Sequence, residues 1–176
     1  MRTFGFGSDN FLMRFRTITY RPIGVIHSPF KEPKGTPIQP TAAPEVEGTV
    51  EVFPEFAEGL SDLGDFSHIV LVYHFHLSKK ASLMVKPYMH DTEKGVFATR
   101  APARPNSIGL SVVRLTKVKG NTLWIKGVDM VDGTPLLDIK PCVPEFDMGG
   151  KKKKGWLKEN LKKLRETRDD GRFSGG

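Results

Sequence analysis

The chain has 176 residues and a formal net charge of +7, with 38% hydrophobic and 27% charged residues. That length suits one domain with appendages, able to bury a core without metal or disulfide staples. A single cysteine, Cys142, excludes a disulfide framework and a Cys-rich zinc module. The longest near-apolar run, residues 69–77, is too short for a bilayer and holds two histidines, and no secretory leader is recognisable, so a soluble, cytoplasmic protein is expected.

Residues 1–16 carry Phe4, Phe6, Phe11 and Phe15 without a clear period and read as an N-terminal extension. Residues 19–27 are a β-rich run that ends at Ser28-Pro29. The loop over 31–44 contains Pro33, Gly35, Pro37 and Pro40, and fixed φ angles make it an extended connection poor in ladder bonds. Residues 49–53 alternate as a strand, and 54–63 suit one short helix. Residues 68–77 give the strongest strand, with Ile69, Leu71, Tyr73, Phe75 and Leu77 on one face and His68, Val70, Val72, His74 and His76 on the other. Residues 96–99 predict a further short strand. Two β-branched runs, 107–118 and 122–130, are joined by Lys119-Gly120-Asn121, a natural hairpin turn. Asp132-Gly133-Thr134-Pro135 reads as a tight turn, after which Asp138 and Lys140 share one face of a short strand. Strands recur with turns between them and no strand–helix alternation, so the expected class is all-β, mainly antiparallel, a small sheet or barrel with short helices.

The charge is uneven. Residues 1–150 hold 17 basic and 16 acidic side chains, a balance of +1, whereas residues 151–176 hold 10 and 4, a balance of +6. The tail, 149–176, opens on two glycines and Lys151, Lys152, Lys153 and Lys154. Leu157, Leu161 and Leu164 then fall at i, i+4, i+7, which predicts a basic amphipathic helix. Two readings fit it: a solvated helix that docks its leucines on the body, or an arm whose lysines contact nucleic-acid phosphates. The apolar stripe is thin for a membrane surface.

No GxGxxG opens a helix after a strand and no P-loop occurs, which disfavours a Rossmann-type nucleotide or methyl-donor site. His74 and His76, at i, i+2, can form a zinc pair only if a third ligand comes from elsewhere; otherwise they line a cleft, and no metal is expected. Arg100 and Arg104 sit between prolines, where a stiff backbone lowers the entropy lost when a guanidinium grips a carboxylate or phosphate.

Several separated motifs together resemble one family. They are Ile23-Gly24-Val25-Ile26 with Ser28-Pro29-Phe30, Gln39-Pro40, Phe66-Ser67-His68, Phe97-Ala98-Thr99-Arg100, Arg104-Pro105-Asn106 with Ile108-Gly109, Asp132-Gly133-Thr134-Pro135 and Asp138-Ile139-Lys140-Pro141. In this order they look like the TsaA-like (TrmO-type) family, over roughly residues 20–147 of an expected domain at 17–148. Cys142 and Thr41 depart from the pattern, at positions where many relatives carry an aromatic residue and some a glycine, respectively. The resemblance implies a small β-barrel, a homodimer, and an S-adenosyl-L-methionine-dependent tRNA methyltransferase that N6-methylates N6-threonylcarbamoyladenosine next to the anticodon. It implies a donor site of Gln39, Pro40, Thr41, Leu77, Ser78, Arg100, Leu110, Gly133, Thr134, Pro135 and Leu136. Arg104 and Asn106, with the four lysines of the tail, are the candidates for substrate RNA, and Asp138 and Lys140 the candidates for catalysis.

The substrate nitrogen must lose a proton, and Asp138, Asp132 and His76 all remain open as its acceptor. Three other functions stand beside this one. They are a non-catalytic RNA- or S-adenosylmethionine-binding module, a metal-dependent hydrolase using His74 and His76, and a methyltransferase for another acceptor.

Overall fold

The described residues form eight strands: β1 Gly24–His27, β2 Glu47–Val52, β3 His68–His74, β4 Met84–Val85, β5 Lys94–Gly95, β6 Ile108–Lys119, β7 Thr122–Lys126 and β8 Thr134–Pro141. A strand with one apolar face must bury it. Six of them do so by closing into an antiparallel barrel in the order β1-β2-β7-β6-β3-β8, while β4 and β5 form a separate two-stranded ribbon. Closure leaves no unpaired sheet edge. The computed structural model describes residues 17–143, 157 and 160–174. The expected extension at 1–16 and Lys151, Lys152, Lys153 and Lys154 lie outside them.

The barrel is filled by Ile26, Val50, Val52, Ile69, Leu71, Tyr73, Val113, Leu115, Leu123, Ile125 and Leu136, all buried. Each fully buried aliphatic side chain is worth about 1.5–3 kcal/mol against exposure. Two bulges bend the sheet, one where β3 meets β8 beside Val72 and Tyr73, the other between Leu115 and Lys117 of β6. A satellite cluster of Val85, Val96, Ala101 and Ala103 supports the long connection from β3 to β6.

Several expected elements end early or change type. Strand β3 stops at His74: Phe75 still donates to Ser107 in the register of the ladder, but the His76 amide then turns back to the His74 carbonyl at 2.9 Å. His76 therefore stands in a turn and shares no strand face with His74. The short helix is a 3-10 helix, Pro54–Leu60, and the strand expected at 96–99 is a 3-10 turn, Val96–Ala98. β7 ends at Lys126, since Gly127 takes φ 81°. The hairpin at Gly120, φ 58°, forms as expected, with Lys119 opposite Thr122.

The expected basic tail helix is corrected the same way. Its described part holds 3-10 geometry at Leu157 and over Leu161–Lys163, then turns over 164–166, in place of a continuous helix, and the chain beyond pairs with the body. Tertiary pairing overrides the helical period there. Arg168 bridges Pro37, the Gly35 amide donates to the Asp169 carbonyl at 2.7 Å, and the Asp169 amide donates to the Thr36 carbonyl at 2.9 Å. Phe173 then packs edge-on against Tyr88 with ring centroids 5.3 Å apart.

Two features set the barrel's open end. Tyr73 lies opposite Gly109, and a Cβ at that glycine would stand 2.2 Å from the ring. Asp132 ties β1 to the start of β8: it accepts from the Ser28 amide at 3.1 Å and from Lys31 Nζ at 2.8 Å, while Gly133, φ 78°, makes the turn. These bonds, the Lys31 ammonium first, hold its carboxyl down at about 2.

Gly109→Ala will destabilise the fold by about 1–3 kcal/mol through overpacking, whereas Gly59→Ala, with open space at its Cβ, stays within about 0.5 kcal/mol; urea unfolding of both variants checks the contrast. Asp132→Asn will cost about 1–2 kcal/mol near neutrality. The native carboxyl titrates below its ordinary 3.8, so its stabilisation is complete above that value and is lost as pH falls through about 2. Melting curves of parent and variant should converge across that acid window.

Candidate functional site

Above the barrel mouth lies a cavity of about 330 Å³. Four stretches distant in sequence wall it: the proline-rich loop after β1, the end of β3 with the turn that follows, the loop before β6, and the segment between β7 and β8. The docked tail adds a fifth wall through Asp169, Phe173 and Ser174.

Each wall is held by bonds to backbone. Ser78 Oγ donates to the Pro102 carbonyl at 3.0 Å. Arg104 donates to the carbonyls of Val96 and Thr99 at 3.1 and 2.9 Å and lies over the Phe97 ring. Thr134 Oγ1 donates to Val131 at 2.6 Å. Arg100, exposed, donates to Gln39 Oε1 at 2.8 Å, joining two walls. Its guanidinium keeps its other donors on a rigid mount, a suitable grip for a carboxylate.

Of the donor residues expected from the sequence, Gln39, Leu77, Ser78, Arg100, Leu110 and Thr134 line this cavity, as does Arg104. Pro40, Thr41, Gly133, Pro135 and Leu136 do not: Pro40 and Thr41 form a short 3-10 turn beside Gln39, Leu136 is buried in the barrel core, and Gly133 and Pro135 shape the turn that presents Thr134. Asn106 and Pro135 line a separate groove with His74 and Thr17. Asp138 and Lys140 pair with each other at 2.7 Å on the outer face of β8, opposite Val72 and Val70, and Asp138 borders another depression beside Phe56 and Leu63.

His76 lines the cavity; burial, and then the neighbouring His74, lower its pKa. Among the described residues no three His, Cys, Asp or Glu side chains converge as a metal group.

Residues the sequence reading missed stand at the floor. Tyr73, Ser111 and Asp129 form one connected row: the Tyr73 hydroxyl lies 3.1 Å from Ser111 Oγ, which donates to Asp129 Oδ1 at 2.7 Å. Burial pushes the Asp129 carboxyl up to about 7, against the pull of Ser111 and Arg100. Burial and the Asp129 charge also push the Tyr73 hydroxyl up. A lone Ser in the inward register of an apolar strand was the available signal for this row.

The cavity suits a donor such as S-adenosylmethionine. Phe75, Leu77 and Leu110 offer apolar surface to a flat or aliphatic part, and Arg100 with Gln39 offers polar partners to a carboxylate-bearing end.

Comparison with known proteins agrees. The family model described as the tRNA-methyltransferase O N-terminal domain matches residues 25–148. A probable S-adenosyl-L-methionine-binding protein of Pyrococcus abyssi is 66% identical over 156 residues, covering 89% of this chain and 85% of that protein. A human tRNA (adenine(37)-N6)-methyltransferase is 37% identical over 133 residues, 72% of this chain and 30% of that protein. The crystal structure of TrmO from Pseudomonas aeruginosa superposes with a TM-score of 0.68 at 44% identity, covering 79% of this chain and 62% of that one. This chain thus spans about three fifths of that solved TrmO chain. With the barrel, the cavity and these matches in agreement, the chain belongs to the tRNA-methyltransferase O family.

Proposed function

We propose that the protein is an S-adenosyl-L-methionine-dependent tRNA methyltransferase that methylates N6 of N6-threonylcarbamoyladenosine next to the anticodon. The observation that carries the reading is the joining of Arg100 and Gln39 over one apolar-walled cavity, in a chain of this family. The printed names of the human and mouse relatives, tRNA (adenine(37)-N6)-methyltransferase, support the acceptor base.

The donor, when bound, supplies an activated methyl group. The chain's own contribution is orientation. Arg100 and Gln39 hold the carboxylate end, and Ser78 and Thr134, fixed by their bonds to Pro102 and Val131, keep the walls in register. Alignment of this kind is worth up to about 7–11 kcal/mol of a barrier. Arg104 keeps the arginine-bearing loop in shape and stands beside Asn106 as the candidate RNA contact on that side, with the four lysines of the tail as a further phosphate-binding arm. Asp138 and Lys140 lie away from the cavity in one protomer, so a catalytic part for them requires a partner molecule to bring them near.

A homodimer fits the outer surface. Ile108, Leu110 and Val112 point outward from β6, 40%, 48% and 38% exposed, directly opposite His74, Val72 and Val70 of β3. Ile108 and Leu110 also line the cavity, so a copy docked on this face completes its rim. Among the described residues no helix is long and apolar enough to cross a membrane, and a cytoplasmic location is part of the same proposal.

Labelled methyl donor, the full chain and tRNA with or without the threonylcarbamoyl group test the reading: label should enter only the modified tRNA. Donor bound without transfer to any tRNA would leave a binding module instead. Arg100→Ala should weaken donor affinity by about tenfold or more, the loss of one charge-assisted bond pair, as read by calorimetry. Val112→Glu should leave a folded monomer by light scattering where the parent is a dimer; a parent that is itself monomeric would remove the dimer from the proposal. Changing Lys151, Lys152, Lys153 and Lys154 together to Ala, which leaves the docked end of the tail in place, should weaken tRNA binding and flatten its salt dependence. An unchanged salt slope would make the tail a packing element alone.

A further inference from the structure

Two carboxylates line the cavity, Asp129 and Asp169. Asp169 belongs to the docked tail and is tied by its backbone to the loop at Gly35 and Thr36. Asp129 follows β7 between buried Val128 and Met130, and its half-buried side chain is open toward the cavity. Behind it, Ser111 and Tyr73 are 1% and 4% exposed, so the row runs from the core to the cavity and ends on a carboxylate. With Asp129 ionised, Ser111 spends its proton on Asp129, and the Tyr73 hydroxyl donates to Ser111. The row thus orients one carboxylate oxygen and holds its charge without neutralising it.

We propose that Asp129 accepts the proton of the nitrogen that becomes methylated, with Ser111 and Tyr73 as its positioning residues. The assignment rests on the methyltransferase reading above. In the step, the N–H bond breaks and its proton passes to an Asp129 oxygen, while the nitrogen pair forms the new N–C bond. The pair of the broken C–S bond stays on sulfur, so charge and atoms balance with no further reactant.

The other acceptors are placed less well. Asp132 is committed to Lys31 and the Ser28 amide, which hold it at about 2, too weak a base for the task. Asp138 is paired with Lys140 away from the cavity. His76 lines the cavity and is the direct competitor. The groups that face Asp129 are Ser111 of β6, Tyr73 of β3 and the Arg100 guanidinium of the preceding loop; His76, Tyr88, Arg104 and Asp169 stand elsewhere around the cavity. A carboxyl held near 7 is half ionised at neutral pH, where a general base works best.

Single-turnover methylation of threonylcarbamoyl-tRNA by the full chain should rise with pH through a midpoint near 7. Asp129→Asn should lose about 100-fold or more of the rate and the acid limb with it, while donor affinity by calorimetry stays within about threefold. Ser111→Ala should keep the limb and move its midpoint upward, because the lost bond favoured the ionised form. Melting of the ligand-free protein gives a readout apart from activity. The folded-state pKa lies above the ordinary 3.8, so ionisation penalises the fold as pH climbs from there through about 7. Asp129→Asn should therefore melt higher than the parent above that range, with the gap closing toward acid. Turnover within a few-fold of the parent with the limb intact overturns the assignment. So does an equal loss of donor affinity, or a limb that vanishes in His76→Gln instead. A parent that leaves the modified tRNA unmethylated fails the substrate reading and takes the assignment with it.

Discussion

Tyr73 occupies the space that any side chain at position 109 would need. The ladder pairs the two residues directly, so the close approach is built into the register of β3 against β6. The ring leans across the glycine, meets Phe75 edge-on at 5.2 Å, and delivers its hydroxyl to Ser111. A one-residue slip would turn every side chain of β6 to the other face. The cavity floor is therefore a consequence of strand pairing, and its polar row is as rigid as the barrel beneath it.

The walls obey a different rule. They come from loops, and loops without a core of their own move. Here each is tied down by a side chain that spends its hydrogen bond on backbone: Ser28 on Met130, Ser78 on Pro102, Arg104 on Val96 and Thr99, Thr134 on Val131. Prolines remove further freedom between these ties. Arg104 shows the consequence for function. It reads in sequence as a free anion grip, yet part of its donor set is committed to shaping the loop that presents Arg100. A guanidinium mounted in this way loses little entropy on binding.

Strand interiors were legible because period-two alternation and burial are the same fact seen twice; Ile69, Leu71 and Tyr73 point inward as their pattern requires. Strand ends were not. His76 continues the pattern of β3 but leaves the strand, because its amide turns back to the His74 carbonyl once Phe75 has made the last cross-strand bond, to Ser107. The tail misled for a related reason. Its leucine spacing is helical, but Arg168 and Asp169 find backbone partners at residues 35–37. In the site, the motif residues around Arg100 and Thr134 could be read directly, whereas Asp129 could not. An aspartate three positions before a turn that carries its own aspartate looks like part of the turn. Only the fold shows that one of the two faces Lys31 and solvent while the other faces Ser111 and the cavity.

Strand β6 carries two local conflicts. Over residues 108–112 its polarity is inverted: Gly109 and Ser111 face inward, while Ile108, Leu110 and Val112 face solvent. Farther along, Val113 and Leu115 fill the core and Arg114 points out to Glu45, as an ordinary barrel strand should. An inward serine that carries a half-buried carboxylate destabilises the fold, and an outward apolar stripe invites association. Sequences tolerate such local contradictions mainly where function requires them. Both conflicts fall on the same five residues, at the cavity's floor and at its rim. The inverted stretch is thus where this barrel departs from what folding alone would select, and the proposed proton acceptor and the proposed contact between copies would both lie beside it.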